Sequence, residues 1–249
     1  MTTPAVQVSN LSFTYPDGHV ALTNVDLVIG AGERIAVLGP NGAGKTTLML
    51  HLNGIHAAPD GSVSIGGRAV SKPNLGEIRR RVGIVFQDPD DQLFMPTVRA
   101  DVAFGPANLG LTGDELGDRV DAALDAVGMR WAADRPPHHL SFGERRRVAL
   151  ATVLSMEPDV LVLDEPSSNL DPASRRELAE ILSSLAITIL LVTHDLPYAL
   201  QLCPRSVVLN GGRMVADGPT AAILADEATL AANRLELPYG FDRRLLMPG

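Results

Sequence analysis

The chain holds a single cysteine, Cys203, among 249 residues. No internal disulfide can form, which suits a reducing compartment, and the fold must rest on its packed core. The expected role of that thiol is a small buried hydrophobe. Aromatics are scarce at 4%, which argues against a stacking surface for single-stranded nucleic acid. Positive charge is not in excess: 21 Lys and Arg stand against 29 Asp and Glu, a net charge of −8. That balance argues against a dedicated nucleic-acid binder. It does not exclude phosphate binding, for which local backbone amides and one lysine suffice. Long apolar runs are also missing. Residues 187–192, with Thr188 inside, form one of the longest, far below the roughly 20 residues that span a bilayer. Met1-Thr2-Thr3-Pro4 has neither a basic nor an apolar leader region, so no signal peptide is expected. If the protein works at a membrane, something else must hold it there.

The composition is 45% hydrophobic and 20% charged, as in globular chains. A chain this long buries roughly three quarters of its unfolded surface, as one large α/β domain or two small ones. Apolar strands are predicted over residues 34–38, 82–86, 160–163 and 188–192, and helices over 46–53, 145–156 and 172–185. That alternation implies a parallel sheet covered on both faces. Alternating residues near Val6, Val8 and Leu11 and over 22–29 predict strands around a Tyr15-Pro16-Asp17-Gly18 turn. Residues 61–67 resemble a hairpin strand. Helical spacing from 97 to 127 marks an inserted region, with Val120, Ala123, Leu124 and Val127 three or four apart. Residues 207–215 read as a hairpin with an Asn-Gly turn, and 219–249 as a helix and a tail.

Gly39-Pro40-Asn41-Gly42-Ala43-Gly44-Lys45-Thr46 fits the pattern G-x-x-x-x-G-K-[ST], with a strand before it and a helix after. Its glycines let backbone N–H groups converge on an anion at a helix N-terminus. Lys45 can reach β- and γ-phosphates, and Thr46 offers a hydroxyl to Mg²⁺. A bare strand-to-helix turn would not need Lys-Thr at that offset. Nucleotide binding follows; the use of the hydrolysis does not.

Val160-Leu161-Val162-Leu163-Asp164-Glu165 is an apolar strand ending in two acids. Ligands of parallel sheets sit at the carboxyl ends of strands, so Asp164 falls beside the phosphate loop, where it can hold Mg²⁺. Glu165 is placed to act as general base on an attacking water. A solvated strand end leading into Pro166 is the plainer alternative.

Further segments carry a family resemblance. Leu140-Ser141-Phe142-Gly143-Glu144 resembles the signature motif of ABC-type ATPases. Ser168-Asn169-Leu170-Asp171 resembles their D-loop, Gln87 their Q-loop glutamine and His194 their switch histidine. Tyr15 falls where the family stacks an aromatic on adenine. The likeness covers about residues 4–220. It implies a P-loop NTPase core, α/β with a parallel sheet, an N-terminal antiparallel β subdomain and an inserted helical subdomain at about 88–157. One ABC ATPase domain would span 1–220, followed by a short helix and tail over 221–249.

The resemblance further implies a composite ATP site shared by two ATPase subunits. One subunit's Tyr15, Gly39, Pro40, Asn41, Gly42, Ala43, Gly44, Lys45, Thr46, Thr47, Gln87, Asp164, Glu165 and His194 would hold Mg-ATP. Thr46, Gln87 and Asp164 would face the Mg²⁺. The partner's Ser141, Gly143 and Glu144, with Asp171 of the D-loop, would complete the nucleotide site. Phe142 stands where the family has Gly, and Glu144 where it often has Gln.

The segment Phe86-Gln87-Asp88-Pro89-Asp90-Asp91-Gln92-Leu93-Phe94, with Thr97-Val98 and residues 101–106, is similar to the ATPases of energy-coupling-factor (ECF) importers. This resemblance implies an ATPase at the cytoplasmic membrane face, docked to integral membrane subunits near residues 87–97. The expected cargo is cobalt, with nickel or a vitamin such as biotin as alternatives. A non-transport ABC ATPase and an inactive nucleotide-binding regulator are competing readings. Intact Lys45 and Glu165 oppose the regulator.

Other features are read plainly. His138-His139 is a tempting metal pair, but adjacent side chains rarely face one ligand. Arg79-Arg80-Arg81 and Arg145-Arg146-Arg147 are expected on solvated helix faces. Trp131 is read as core or lining, and Leu93-Phe94-Met95 as an exposed docking tip.

Overall fold

The computed structural model describes residues 3–59 and 62–246. Gly61, the first residue of the hairpin strand predicted at 61–67, lies outside them, as do both chain ends. Strands β1 (Val6–Thr14) and β2 (Val20–Ile29) pair antiparallel across the turn at Tyr15–Gly18. Strand β3 (Arg34–Leu38) then runs into the phosphate loop and helix α1 (Lys45–Leu52). Strands β4 (Val63–Ile65) and β5 (Arg68–Ala69) complete a four-stranded antiparallel sheet of order β2-β1-β4-β5. Helix α2 (Leu75–Arg81) leads into β6 (Val82–Val85).

The helical region predicted as one stretch is two helices, α3 (Val98–Asn108) and α4 (Gly113–Ala126). They are followed by α5 (Phe142–Leu154). The α/β rhythm resumes with β7 (Val160–Asp164), α6 (Pro172–Ser184), β8 (Thr188–Val192) and α7 (Leu196–Leu202). Strands β9 (Arg205–Asn210) and β10 (Arg213–Pro219) form the second predicted hairpin. Its turn residues are Gly211 and Gly212, both at positive φ (53° and 73°), rather than Asn-Gly. Two-residue hairpin turns of this hand need positive φ at both positions, and Asn210 is still in the ladder, opposite Arg213. The predicted single C-terminal helix is two short ones, α8 (Thr220–Ala225) and α9 (Glu227–Ala232).

The main sheet has the order β10-β9-β3-β8-β7-β6, parallel except for β10. Side chains alternate across it. Ile35, Val37, Val162 and Val192 enter a core shared with α1 and the antiparallel sheet. Ala36, Leu38, Leu163 and Leu191 enter a second core under α3 to α9. Both faces are therefore covered, as apolar strands require. Each fully buried Leu or Val contributes about 1.5–3 kcal/mol. Leu224, Leu230, Leu235 and Leu246 pin the C-terminal residues to the second core.

Several local expectations are corrected. Arg145, Arg146 and Arg147 do not lie on a solvated face. Arg145 pairs with Asp90 at 2.9 Å, Arg147 bonds Glu177, and Arg146 is fully buried. Helix α5 is enclosed by neighbours on several sides, so its arginines find partners on them. Trp131 is 54% exposed under the Arg135 guanidinium, not core. Cys203 is buried as expected, and burial pushes its thiol up to about 12.

Candidate active site

The parallel register puts the carboxyl ends of β3, β6, β7 and β8 along one edge of the sheet. Each end delivers chemistry: the phosphate loop after β3, Gln87 after β6, Asp164 and Glu165 at β7, and His194 after β8. Gly44 caps the start of helix α1, and its φ of 102° and tight fit against the Ala21 carbonyl exclude a side chain. No side chain caps it. The free N–H groups and the dipole of its first turn are therefore available to an anion.

A cleft of about 200 Å³ opens over this edge. It is lined by Tyr15, His19, Ala21, Asn41 to Thr47, Gln87, Asp164 and Glu165. Larger hollows of about 540 and 660 Å³ near Leu230 and Arg80 contain none of these residues. Lys45 arches over the loop, its Nζ donating to the carbonyls of Gly39 (2.8 Å) and Pro40 (3.1 Å). Burial lowers its pKa, and the nearby Glu165 and Asp164 oppose that. Thr46 Oγ1 donates to Asp164 Oδ2 at 3.3 Å, joining residues far apart in sequence. Burial raises the Asp164 carboxyl, and Glu165 adds to the rise; Thr46 and Lys45 work against it. A crowded acid pair beside one lysine favours a further cation.

Glu165 is buried and sits at a φ of 45°, a strained backbone for a residue with a Cβ. Its carboxylate is held firmly. Thr193 Oγ1 and the His194 N–H donate to Oε2 at 3.0 and 3.3 Å, and His194 Nδ1 lies 2.8 Å from Oε1. The His194 side chain is 62% exposed. At the far end of the cleft, the Tyr15 hydroxyl lies 3.0 Å from Thr47 Oγ1 and 3.4 Å from His56 Nε2.

This is a nucleotide-binding strand-loop-helix with an acid pair beside it. A family model described as ABC transporter matches residues 22–168. The chain belongs to the ABC transporter ATPases. A Streptomyces coelicolor chain assigned as an ABC transporter ATP-binding protein is 68% identical over 240 residues. The match spans 96% of this chain and 92% of that one. The energy-coupling factor transporter ATP-binding protein EcfA of Carboxydothermus hydrogenoformans is 50% identical over 237 residues, 94% of this chain and 87% of that one. Among solved structures, cbiO1 of Clostridium perfringens, described as part of the ABC transporter complex cbiONQ, matches with a TM-score of 0.83. It is 39% identical, over 95% of this chain and 96% of that one.

In this ABC ATPase the residues expected around ATP fall into two groups. Tyr15, the loop from Asn41, Lys45, Thr46, Thr47, Gln87, Asp164 and Glu165 line the cleft, whereas His194 reaches it only through its contact with Glu165. Gly39 and Pro40 contribute through the carbonyls that hold Lys45. Ser141, Gly143, Glu144 and Asp171 do not line the cleft. Ser141 and Glu144 form a capping box on α5: Ser141 N donates to Glu144 Oε2 at 2.7 Å, which lowers the Glu144 carboxyl. Asp171 caps α6 through Ala173 N and Ser174 N. A Cβ on Gly143 would come within 2.6 Å of Ser174 Oγ, so the glycine permits α5 and α6 to touch. These four residues cluster at two adjoining helix N-termini, within one chain, away from that chain's own loop.

Sequence reasoning missed His19 and Ala21. His19 stands opposite Tyr15 in the turn, its carbonyl accepting from Tyr15 N at 2.8 Å, with ring centroids 6.2 Å apart. The tight turn after Tyr15 was the available signal. No described group of three or more His, Cys, Asp or Glu could cage a metal ion. Thr46 and Asp164 still suit Mg²⁺, which takes one or two protein oxygens and completes its shell with phosphates and water.

Proposed function

We propose that this ABC ATPase is the ATP-hydrolysing subunit of an ECF-type importer, working as a pair of subunits on the cytoplasmic face of a membrane. The observation that carries the catalytic part is the contact of Thr46 with Asp164 beside the buried, fixed Glu165. The loop amides and Lys45 would bind the β- and γ-phosphates. Thr46 and Asp164, with Gln87 near them, would hold Mg²⁺, which neutralises charge on the phosphate oxygens. Glu165 takes the proton of the attacking water, and His194 hydrogen-bonds the γ-phosphate. Positioning and charge stabilisation do most of the work of phosphoryl transfer. A second subunit's Ser141, Gly143 and Glu144, beside Asp171, would cover the γ-phosphate.

No helix among the described residues is long and apolar enough to cross a membrane, so passage is assigned to partner chains. The proposed contact is narrower than the tripeptide Leu93-Phe94-Met95. Phe94 is 64% exposed, whereas Leu93 and Met95 are partly buried. Phe94 packs edge-on against the exposed Phe104, ring centroids 5.0 Å apart. Beside them lies a hollow of about 350 Å³ bordered by Pro137, His138 and Arg145. Buried Asp101 fixes the segment by accepting from the N–H groups of Phe94 and Met95, both at 3.0 Å.

Cobalt is the proposed cargo, in keeping with the likeness of residues 86–106 to cobalt and nickel uptake ATPases. The ion would cross the membrane subunits without touching this chain. The test is co-purification from membranes with Phe94→Ser and Phe104→Ser combined. The double variant is expected to lose its integral-membrane partners while ATP affinity stays unchanged. Undiminished co-purification would count against this docking surface. Identifying the captured subunits and assaying cobalt, nickel and vitamin uptake by the reconstituted complex decides the cargo.

A further inference from the structure

Arg146 is the largest fully buried side chain of the described residues, at 1% exposure, and the cleft does not use it directly. Its Nη1 donates to the Phe86 carbonyl at 2.8 Å. That carbonyl belongs to the same rigid peptide plane as the Gln87 N–H. The other side of Phe86 is held as well. Phe86 N donates to Gln92 Oε1 at 3.3 Å, and Gln92 Nε2 donates to Ala149 O (2.8 Å) and Thr152 Oγ1 (2.7 Å) on α5. Both backbone groups of Phe86 are thus tied to one helix, by two side chains.

We infer that Arg146 and Gln92 are positioning residues that clamp Phe86, so that movement of α5 turns the peptide plane from which Gln87 enters the cleft. This rests on the reading of Gln87 as a residue that faces ATP. The N-terminus of α5 carries Ser141 and Glu144, and Arg146 lies about one turn further along. Contact of a second subunit at that N-terminus would therefore reach Gln87 through one rigid helix and the side chains of Arg146 and Gln92. Packed elements with discrete hydrogen bonds are the kind of connection that carries coupling.

Energetics separate this role from simple packing. Arg146 Nε and Nη2 have no hydrogen-bond partner, and beyond Phe86 the guanidinium has only the face of Phe142, at 5.3 Å. The charges it feels most are Asp88 and Asp164, with no ion pair to either. A buried cation with unused donors destabilises a fold relative to an apolar side chain of similar size. Burial lowers its pKa accordingly. Arginine here therefore serves orientation of the Phe86–Gln87 peptide better than it serves stability.

The test uses the purified full chain with MgATP and the variants Arg146→Met, Arg146→Lys, Gln92→Met and Gln87→Ala. Arg146→Met is expected to keep or raise Tm while kcat falls roughly 10- to 100-fold, the scale of a misplaced active-site group. KM for ATP should stay within about threefold, because nucleotide binding itself is intact. Arg146→Lys keeps a charge and a donor for the Phe86 carbonyl and should recover most of kcat. Combining Arg146→Met with Gln87→Ala should be no slower than Gln87→Ala alone, as for residues acting in series. Gln92→Met tests the second half of the clamp, and also serves if Arg146→Met does not fold; it should lower kcat at unchanged KM. Wild-type kcat in both Arg146→Met and Gln92→Met, with Gln87→Ala impaired, would overturn the clamp and leave the Gln87 reading standing. Effects of Arg146 and Gln87 that multiply would overturn it too. A wild-type rate in Gln87→Ala removes the reading of Gln87 itself, and the clamp with it.

Discussion

Glu165→Gln is expected to bind MgATP with near wild-type affinity and to hydrolyse it roughly 10²- to 10⁴-fold more slowly, the range for loss of a general base. The substitution keeps shape and length. Its amide oxygen can still accept from Thr193 Oγ1, the strongest anchor of the present carboxylate apart from His194. The backbone at φ 45° is unchanged in kind, because Glu and Gln share the same stem. What disappears is the ability to take a proton from water. Single-turnover hydrolysis with nucleotide binding measured in parallel checks this. Turnover at the wild-type rate would remove Glu165 from the chemistry and leave Asp164 or His194 to be tested in its place.

Lys45→Ala is the second large effect, and it falls on binding. The Lys45 side chain is buried at the mouth of α1, donating to the Gly39 and Pro40 carbonyls. Charge-assisted hydrogen bonds contribute about 1.5–3 kcal/mol each. Losing one such bond to a phosphate should weaken ATP roughly 10- to 150-fold. Arginine should rescue poorly, because a planar fork does not replace a compact ammonium inside the loop. Stability should move the other way. Folding lowers the Lys45 pKa, so burying the ammonium costs stability at pH values below that lowered pKa. Removing it should leave Tm unchanged or higher. Nucleotide titration and thermal unfolding of the same preparation check both parts; wild-type ATP affinity would contradict the assignment.

Much of the candidate site was legible because its parts follow strands whose composition declares them. The runs at 34–38, 82–86, 160–163 and 188–192 are largely apolar on both faces, and each leads into its chemical segment: the phosphate loop, Gln87, the Asp164–Glu165 pair or His194. Their common direction then brings Lys45, Gln87, Asp164 and His194 together without any further information. The misreadings share a different cause. Whether Arg146 is solvated or buried depends on what packs around α5, and that is set by residues 86–92, about sixty positions earlier. Leu93 looked exposed beside Phe94, yet it packs against the second core. Gly143 looked like a nucleotide contact alone; the close approach of Ser174 shows a packing demand as well. His19 belongs to the cleft only because the turn after Tyr15 folds it back.

The separation of Ser141, Gly143 and Glu144 from their own chain's loop makes the pairing of two chains the central claim. Turnover per chain, measured on the purified wild-type protein over a wide range of protein concentration in MgATP, tests it most directly. It is expected to rise with concentration to a plateau, with a midpoint matching ATP-dependent dimerisation seen by light scattering. Turnover per chain that stays constant across the whole range, with the protein monomeric in MgATP, would contradict it.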